Sequence, residues 1–178
     1  SVLRFPASAP QAITYWNLNS TTGPQASGPW GDAATDFPTP GDFDGDGKDD
    51  LAIYRAGATA GAQSSFWILQ SATSTVQYFA WGLNGDNAVA RDYDGDGKTD
   101  IGVFRRGASA GAQAVWYIRQ SSNAATRIVN FGTTGATASD IDVPVPGDYD
   151  GDGKFDIAVY RAGALTPTNT FIVLQRSD

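Results

Sequence analysis

No cysteine, histidine, methionine or glutamate occurs among the 178 residues. Without cysteine there is no disulfide framework, and thiols say nothing about the redox compartment. Without histidine, cysteine or glutamate, the Ser-His-Asp and Cys-His arrangements for nucleophilic catalysis are excluded, as are the usual zinc centres. Basic residues are few, three lysines and nine arginines, and form no stripe, which argues against a nucleic-acid partner. No apolar run approaches the length of a membrane span, no stretch holds a helical period, and Ser1 begins no signal-peptide pattern. Membrane insertion is therefore not expected, and the chain reads as a processed or excised extracellular piece.

What is present is concentrated. All nineteen acidic residues are aspartate, and twelve of them fall in three copies of the run Asp-x-Asp-Gly-Asp-Gly-Lys-x-Asp, beginning at Asp42, Asp92 and Asp148. The three lysines of the chain, Lys48, Lys98 and Lys154, hold the same place in each copy. Four carboxylates packed this closely repel one another unless a cation neutralises them. Asp42, Asp44 and Asp46 alternate, so a tight curl turns all three inward, and Gly45 and Gly47 permit the positive φ angles such a curl needs. The Lys48 carbonyl stands where a calcium loop uses a backbone oxygen, and Asp50 closes the set. Asp92, Asp94, Asp96, the Lys98 carbonyl and Asp100 repeat the pattern, as do Asp148, Asp150, Asp152, the Lys154 carbonyl and Asp156. With water added, each set supplies the six to eight oxygens that Ca²⁺ prefers. Three Ca²⁺ per chain are expected, offsetting six of the seven net negative charges. Extracellular modules hold calcium weakly and are saturated where they work, which places the chain outside the cell, secreted or at the cell surface.

An EF-hand reading fails on the second half of the loop. Its twelfth position requires a bidentate glutamate, where this chain has Ile53, Val103 and Val159, and no flanking helices are in prospect.

The loops anchor a longer repeat, 50 residues from Asp42 to Asp92 and 56 from Asp92 to Asp148. After each loop comes a short alternating run ending Tyr54-Arg55, Phe104-Arg105 or Tyr160-Arg161, then a Gly/Ala linker and a second run such as Phe66-Trp67-Ile68-Leu69-Gln70. A third run ends in an aromatic-glycine pair, Trp81-Gly82 or Phe131-Gly132, and a fourth precedes each loop. All are rich in β-branched and aromatic residues and bounded by turn formers, which predicts strands. The six extra residues of the last period lie between Phe131 and Asp148, where they lengthen a connection. Tyr15 to Ser20 and Trp30-Gly31 match the later runs, so the chain opens with half a blade. Ser1 to Phe5 resembles Thr75 to Phe79, a candidate fourth strand for the last blade of this chain or of another.

The segment from Gly41 to Arg55 resembles the FG-GAP/VCBS repeat, related to the calcium-binding blades of integrin α-subunit propellers. The likeness runs from Ile13 onward in loop, Tyr-Arg strand and Trp-Gly strand. It implies an all-β fold, a β-propeller-like array of four-stranded antiparallel blades with calcium in the hairpin between the first two strands. About three and a half blades are expected in a single domain, 1–178, incomplete at both ends: a half blade at 1–35 and blades at about 36–85, 86–139 and 140–178. Propellers typically close with four to eight blades, so self-association through terminal strands, as a ring or a filament, is expected.

The resulting expectation is a calcium-binding extracellular structural or binding module, an adhesion, surface or filament subunit that self-assembles or docks through its incomplete terminal blades. A carbohydrate-binding, lectin-like propeller and a non-catalytic fragment of a larger secreted enzyme are the alternatives, with a glycan or a protein as ligand. Trp16, Trp30, Trp67, Trp81 and Trp116 recur at repeat positions, which favours core over sugar platforms. Arg55, Arg105 and Arg161 are expected to pair with nearby aspartates or carbonyls. Asn19-Ser20-Thr21 is a lone glycosylation sequon. Outside the loops, Asp32, Asp36, Asp49, Asp86, Asp140, Asp142 and Asp178 show no grouping that would suit paired-carboxylate catalysis, and no enzyme is expected.

Overall fold

The computed structural model describes residues 2–4, 12–135, 141–161 and 170–174, which form four antiparallel sheets and no helix. The first sheet holds β1 (Val2–Arg4), β2 (Ala12–Asn19) and β3 (Gly23–Asp32). The second is a complete blade of β4 (Asp36–Pro38), β5 (Leu51–Arg55), β6 (Gln63–Leu69) and β7 (Val76–Leu83) in that spatial order. The third repeats it with β8 (Asn87–Ala88), β9 (Ile101–Arg105), β10 (Gln113–Arg119) and β11 (Thr126–Thr133). The last contains β12 (Asp142–Pro144), β13 (Ile157–Arg161) and β14 (Thr170–Leu174). Every neighbouring pair is antiparallel, and the sheets do not close into a ring.

Alternation in the sequence sets which face each strand buries. In β6, Ser64, Phe66 and Ile68 are buried while Ser65, Trp67 and Leu69 are only half-buried, and β10 repeats this with Ala114, Trp116 and Ile118. The core lies between successive sheets. Ile13 and Tyr15 of the first sheet pack on Ile53 of the second. Tyr54, Phe66 and Ile68 pack on Ile101 and Val103 of the third, and Phe104, Trp116 and Ile118 on Ile157 and Val159 of the last. Hydrogen bonds also bridge the seams, among them Tyr15 Oη to the Ala52 carbonyl (2.9 Å) and Trp81 Nε1 to the Tyr117 carbonyl (3.2 Å).

Trp30, Trp67, Trp81 and Trp116 all belong to or pack against these clusters, as their repeat positions imply, whereas Trp16 is 43% exposed. No helix among the described residues is long and apolar enough to cross a membrane.

One expectation is corrected. Val2–Arg4 do not serve as a fourth strand for the last blade; they pair with β2, with Val2 opposite Trp16, Leu3 opposite Tyr15 and Arg4 opposite Thr14. In the second sheet, Ile53, Tyr54 and Arg55 stand opposite Trp67, Phe66 and Ser65. Leu3-Arg4 thus falls on the register of Tyr54-Arg55, the second-strand position, and the first sheet holds three strands where two were expected. Ser1 and Phe5 of that reading lie outside the described residues, as do Asp140, Asp178 and most of the last linker.

Candidate metal centre

Each aspartate loop is the connection between the first and second strands of its blade, pinched shut by a bridge of Gly41 with Asp50, Arg91 with Asp100, or Gly147 with Asp156. Within the first loop the Asp42 carboxylate accepts from the N–H groups of Gly45 (2.6 Å) and Gly47 (2.8 Å). Asp92 does the same with Gly95 and Gly97, and Asp148 with Gly151 and Gly153. These contacts require the curl, and both glycines of each loop carry φ near +80°, a conformation that costs an L side chain about 1–2 kcal/mol.

The curl converges carboxylate oxygens. Oxygens of Asp42, Asp44 and Asp50 lie within 4.8 Å of one another, as do those of Asp92, Asp94 and Asp96, and of Asp148, Asp150 and Asp156. Asp46 faces Lys48 Nζ (3.3 Å) and the Ser71 hydroxyl (2.9 Å). In the second loop the Ser121 hydroxyl lies within hydrogen-bond distance of both Asp96 (3.0 Å) and Asp100 (2.8 Å). Lys48, Lys98 and Lys154 lie in the curl, their N–H groups donating to Asp46, Asp96 and Asp152. The closing aspartates are anchored from two directions: Asp50 accepts from Phe43 N (2.9 Å) and Ser71 N (2.7 Å), and Asp100 from Tyr93 N and Ser121 N at the same distances.

The electrostatics match this geometry. Asp50 and Asp100 have no exposed surface. Burial pushes Asp100 up to about 6 against the Ser121 and Tyr93 hydrogen bonds, and raises Asp50 likewise, with the charge of a neighbouring aspartate adding to both. Asp46 is lowered by the Ser71 hydroxyl and by Lys48. A hard cation among the clustered oxygens would remove that mutual repulsion. The clustered donors are carboxylate oxygens with neither nitrogen nor sulfur, the hard set that Ca²⁺ takes.

A second repeated constellation lies beside the loops. Asp36 receives a bidentate pair from Arg55 Nε (2.6 Å) and Nη2 (2.7 Å); Asp86 pairs in the same way with Arg105 (2.8 and 2.8 Å) and Asp142 with Arg161 (2.6 and 2.7 Å). The same carboxylates accept from Asp32 N, Leu83 N and Thr133 N, each at 2.7 Å. Those N–H groups directly follow Gly31, Gly82 and Gly132, whose positive φ turns the chain toward the aspartate. The aromatic-glycine pair is therefore half of a clasp tying the end of one blade to the first two strands of the next. Burial raises the Asp36 carboxyl, but Arg55 and the Asp32 N–H outweigh it and hold it below the ordinary value. Arginine pairing is as expected. The grouping of Asp36, Asp86 and Asp142 was missed, although each precedes its arginine by nineteen residues.

Comparison with family models matches residues 34–69 to the FG-GAP repeat and residues 92–159 to the FG-GAP-like repeat. The chain belongs to the FG-GAP repeat family. All three aspartate loops of these FG-GAP repeats fall inside the matched segments, with β5, β9 and the first three residues of β13, and with Arg55 and Asp36 of the first clasp. FG-GAP repeats on open antiparallel sheets of three or four strands suggest a propeller-like binding or adhesion module. Comparison with curated proteins and with solved structures found no match.

Proposed function

We propose that this chain is a calcium-stabilised extracellular module, non-catalytic, that assembles or docks through its incomplete terminal blades. The threefold convergence of carboxylate oxygens within 4.8 Å, in loops joining the first two strands of every blade that has them, carries the reading. Asp42, Asp44, Asp46 and Asp50, with the Lys48 carbonyl, would hold one ion, and the corresponding residues of the other loops two more. Calcium there locks the hairpin on which the blade's inner strands hang, an architectural role. Of the aspartates outside the loops, Asp36, Asp86 and Asp142 are engaged by arginines, which supports the non-catalytic reading. Membership of the FG-GAP family and the calcium demand of weak sites favour an extracellular setting.

The test is thermal unfolding with and without chelator. Ligand bound to the native state alone adds about 2.7 kcal/mol per site at a hundredfold excess over Kd. Three such sites predict a fall in Tm of well over ten degrees in EGTA, restored by Ca²⁺. An unchanged Tm, or a calorimetric titration without calcium heat, removes the metal from the reading.

A further inference from the structure

The aspartate loops touch one another in sequence, and the contact has the same parts each time. Thr99 N of the second loop donates to the Asp42 carbonyl of the first (2.6 Å), and Phe155 N of the third donates to the Asp92 carbonyl of the second (2.7 Å). The Lys98 stem lies over Gly45, where a Cβ would come within 2.8 Å of its Cε, and Lys154 lies over Gly95, 2.9 Å from its Cγ. The aromatic residue of each preceding loop is covered in the process: Phe43 is 9% exposed and Tyr93 3%.

Half of this contact is left over at each end of the series. On the last loop, Tyr149 is 45% exposed, Gly151 has no atom within 4 Å of a Cβ position, and the Asp148 carbonyl has no partner among the described residues. On the first loop, the Lys48 side chain is 73% exposed and the Asp49 N–H, equivalent to those of Thr99 and Phe155, likewise has no described partner. Beside Lys48 opens a cleft of about 750 Å³, walled on its other side by Leu18, Ser20 and Thr21. Ser20 and Thr21 stand, by strand register, where Ser71 and Ala72 hold the carboxylates of the first loop and Ser121 and Ser122 those of the second. The cleft has both walls of an aspartate-loop cradle.

We propose that this cleft receives the loop 148–156 of a second copy of the chain, so that copies join head to tail. The inference rests on the assembly reading above and specifies its surfaces. Lys48 and Asp49 N–H of one copy then meet Gly151 and the Asp148 carbonyl of the other, as Lys98 and Thr99 meet Gly45 and Asp42 within one chain. The Lys48 ammonium enters an acidic loop, accompanied by the Asp49 carboxylate at the place of Thr99 and Phe155 in the contacts within one chain. The shared blade takes β12 and β13 from one copy and β2 and β3 from the other. Two strand positions are claimed twice, by β1 and β13 and by β14 and β2. The longer strands keep them, β13 of five residues over β1 of three and β2 of eight over β14 of five.

Two spoiled halves test the fit. Leu18→Arg with Thr21→Arg blocks the cleft, and Tyr149→Glu blocks the loop by putting a charge where Phe43 and Tyr93 are covered; all three positions are exposed and none is among the residues that would hold calcium. In analytical ultracentrifugation with Ca²⁺ at micromolar chain concentration, the wild type is expected above its 18.7 kDa monomer. Each variant alone is expected as a monomer with unchanged strand circular dichroism and calcium stoichiometry. Their equimolar mixture is expected to form a one-to-one dimer and grow no further, because each supplies the half the other has lost. A monomeric wild type overturns both this contact and the assembly reading. A wild type that assembles while both variants assemble equally overturns the loop contact alone.

Discussion

Removing one partner of the Asp86–Arg105 clasp should destabilise the protein by an amount that depends on which partner goes. The Asp86 side chain is 2% exposed and the Arg105 side chain 33%. In Asp86→Ala the guanidinium left behind rehydrates, so the cost is the lost charge-assisted pair plus the orphaned Leu83 N–H, about 2–3 kcal/mol together. In Arg105→Ala the carboxylate stays buried with only the Leu83 N–H for company, and an uncompensated buried charge costs about 3–5 kcal/mol. Arg105 also lies 4.7 Å from the Tyr117 ring centroid, a contact worth about 0.5–1 kcal/mol that disappears with it. Arg105→Ala is therefore expected to exceed Asp86→Ala by 1 kcal/mol or more, and the double variant to be milder than the sum. Urea unfolding followed by tryptophan fluorescence, at fixed saturating Ca²⁺, measures all three. Equal losses, or losses below about 0.5 kcal/mol, would mean that the clasp is a solvated surface pair and that its repetition at every blade seam is incidental.

Gly82→Ala should cost at least 2 kcal/mol in the same assay, because its φ of +81° is strained for alanine and the new Cβ would meet Tyr54 Oη at 2.8 Å. Gly85→Ala, at φ +98° with open space around it, should cost only the backbone strain. For pH, Asp36 is held below its ordinary value, so its clasp contributes stability that is full above the unfolded carboxylate range. That stability is lost as pH falls below about 4 through the folded value. Asp36→Asn should flatten the acid limb of a stability–pH curve, and an unaltered limb would contradict the assignment. Asp50→Asn, at a fully buried position among the first loop's oxygens, should lower the calorimetric calcium stoichiometry from three to two while the strand signal in circular dichroism persists.

How much of this was readable beforehand follows from how local each signal is. An aspartate loop is nine consecutive residues whose curl is dictated by its own glycines, so one copy suffices to see it and three copies set the repeat. Strands such as β6 and β10 were equally legible, since alternation of buried and half-buried residues is written along the segment. The clasp joins residues nineteen positions apart across a loop, and only alignment of the repeats on one another would have shown Asp36, Asp86 and Asp142 as a column beside the arginines. The β1 segment failed for a related reason. Its likeness to Thr75–Phe79 is a likeness of composition, whereas what decides its place is the Leu3-Arg4 step, which lands opposite Tyr15 and Thr14 as Tyr54-Arg55 lands opposite Phe66 and Ser65. Register outranks composition wherever one face of a strand must be buried, because a slip of a single residue would turn the apolar side chains to solvent. The same reasoning bears on assembly. In the contact proposed above, an aspartate loop in the register of β4–β5 or β8–β9 suits the cleft beside Lys48, and among the described residues the loop with an uncovered face is the one between β12 and β13.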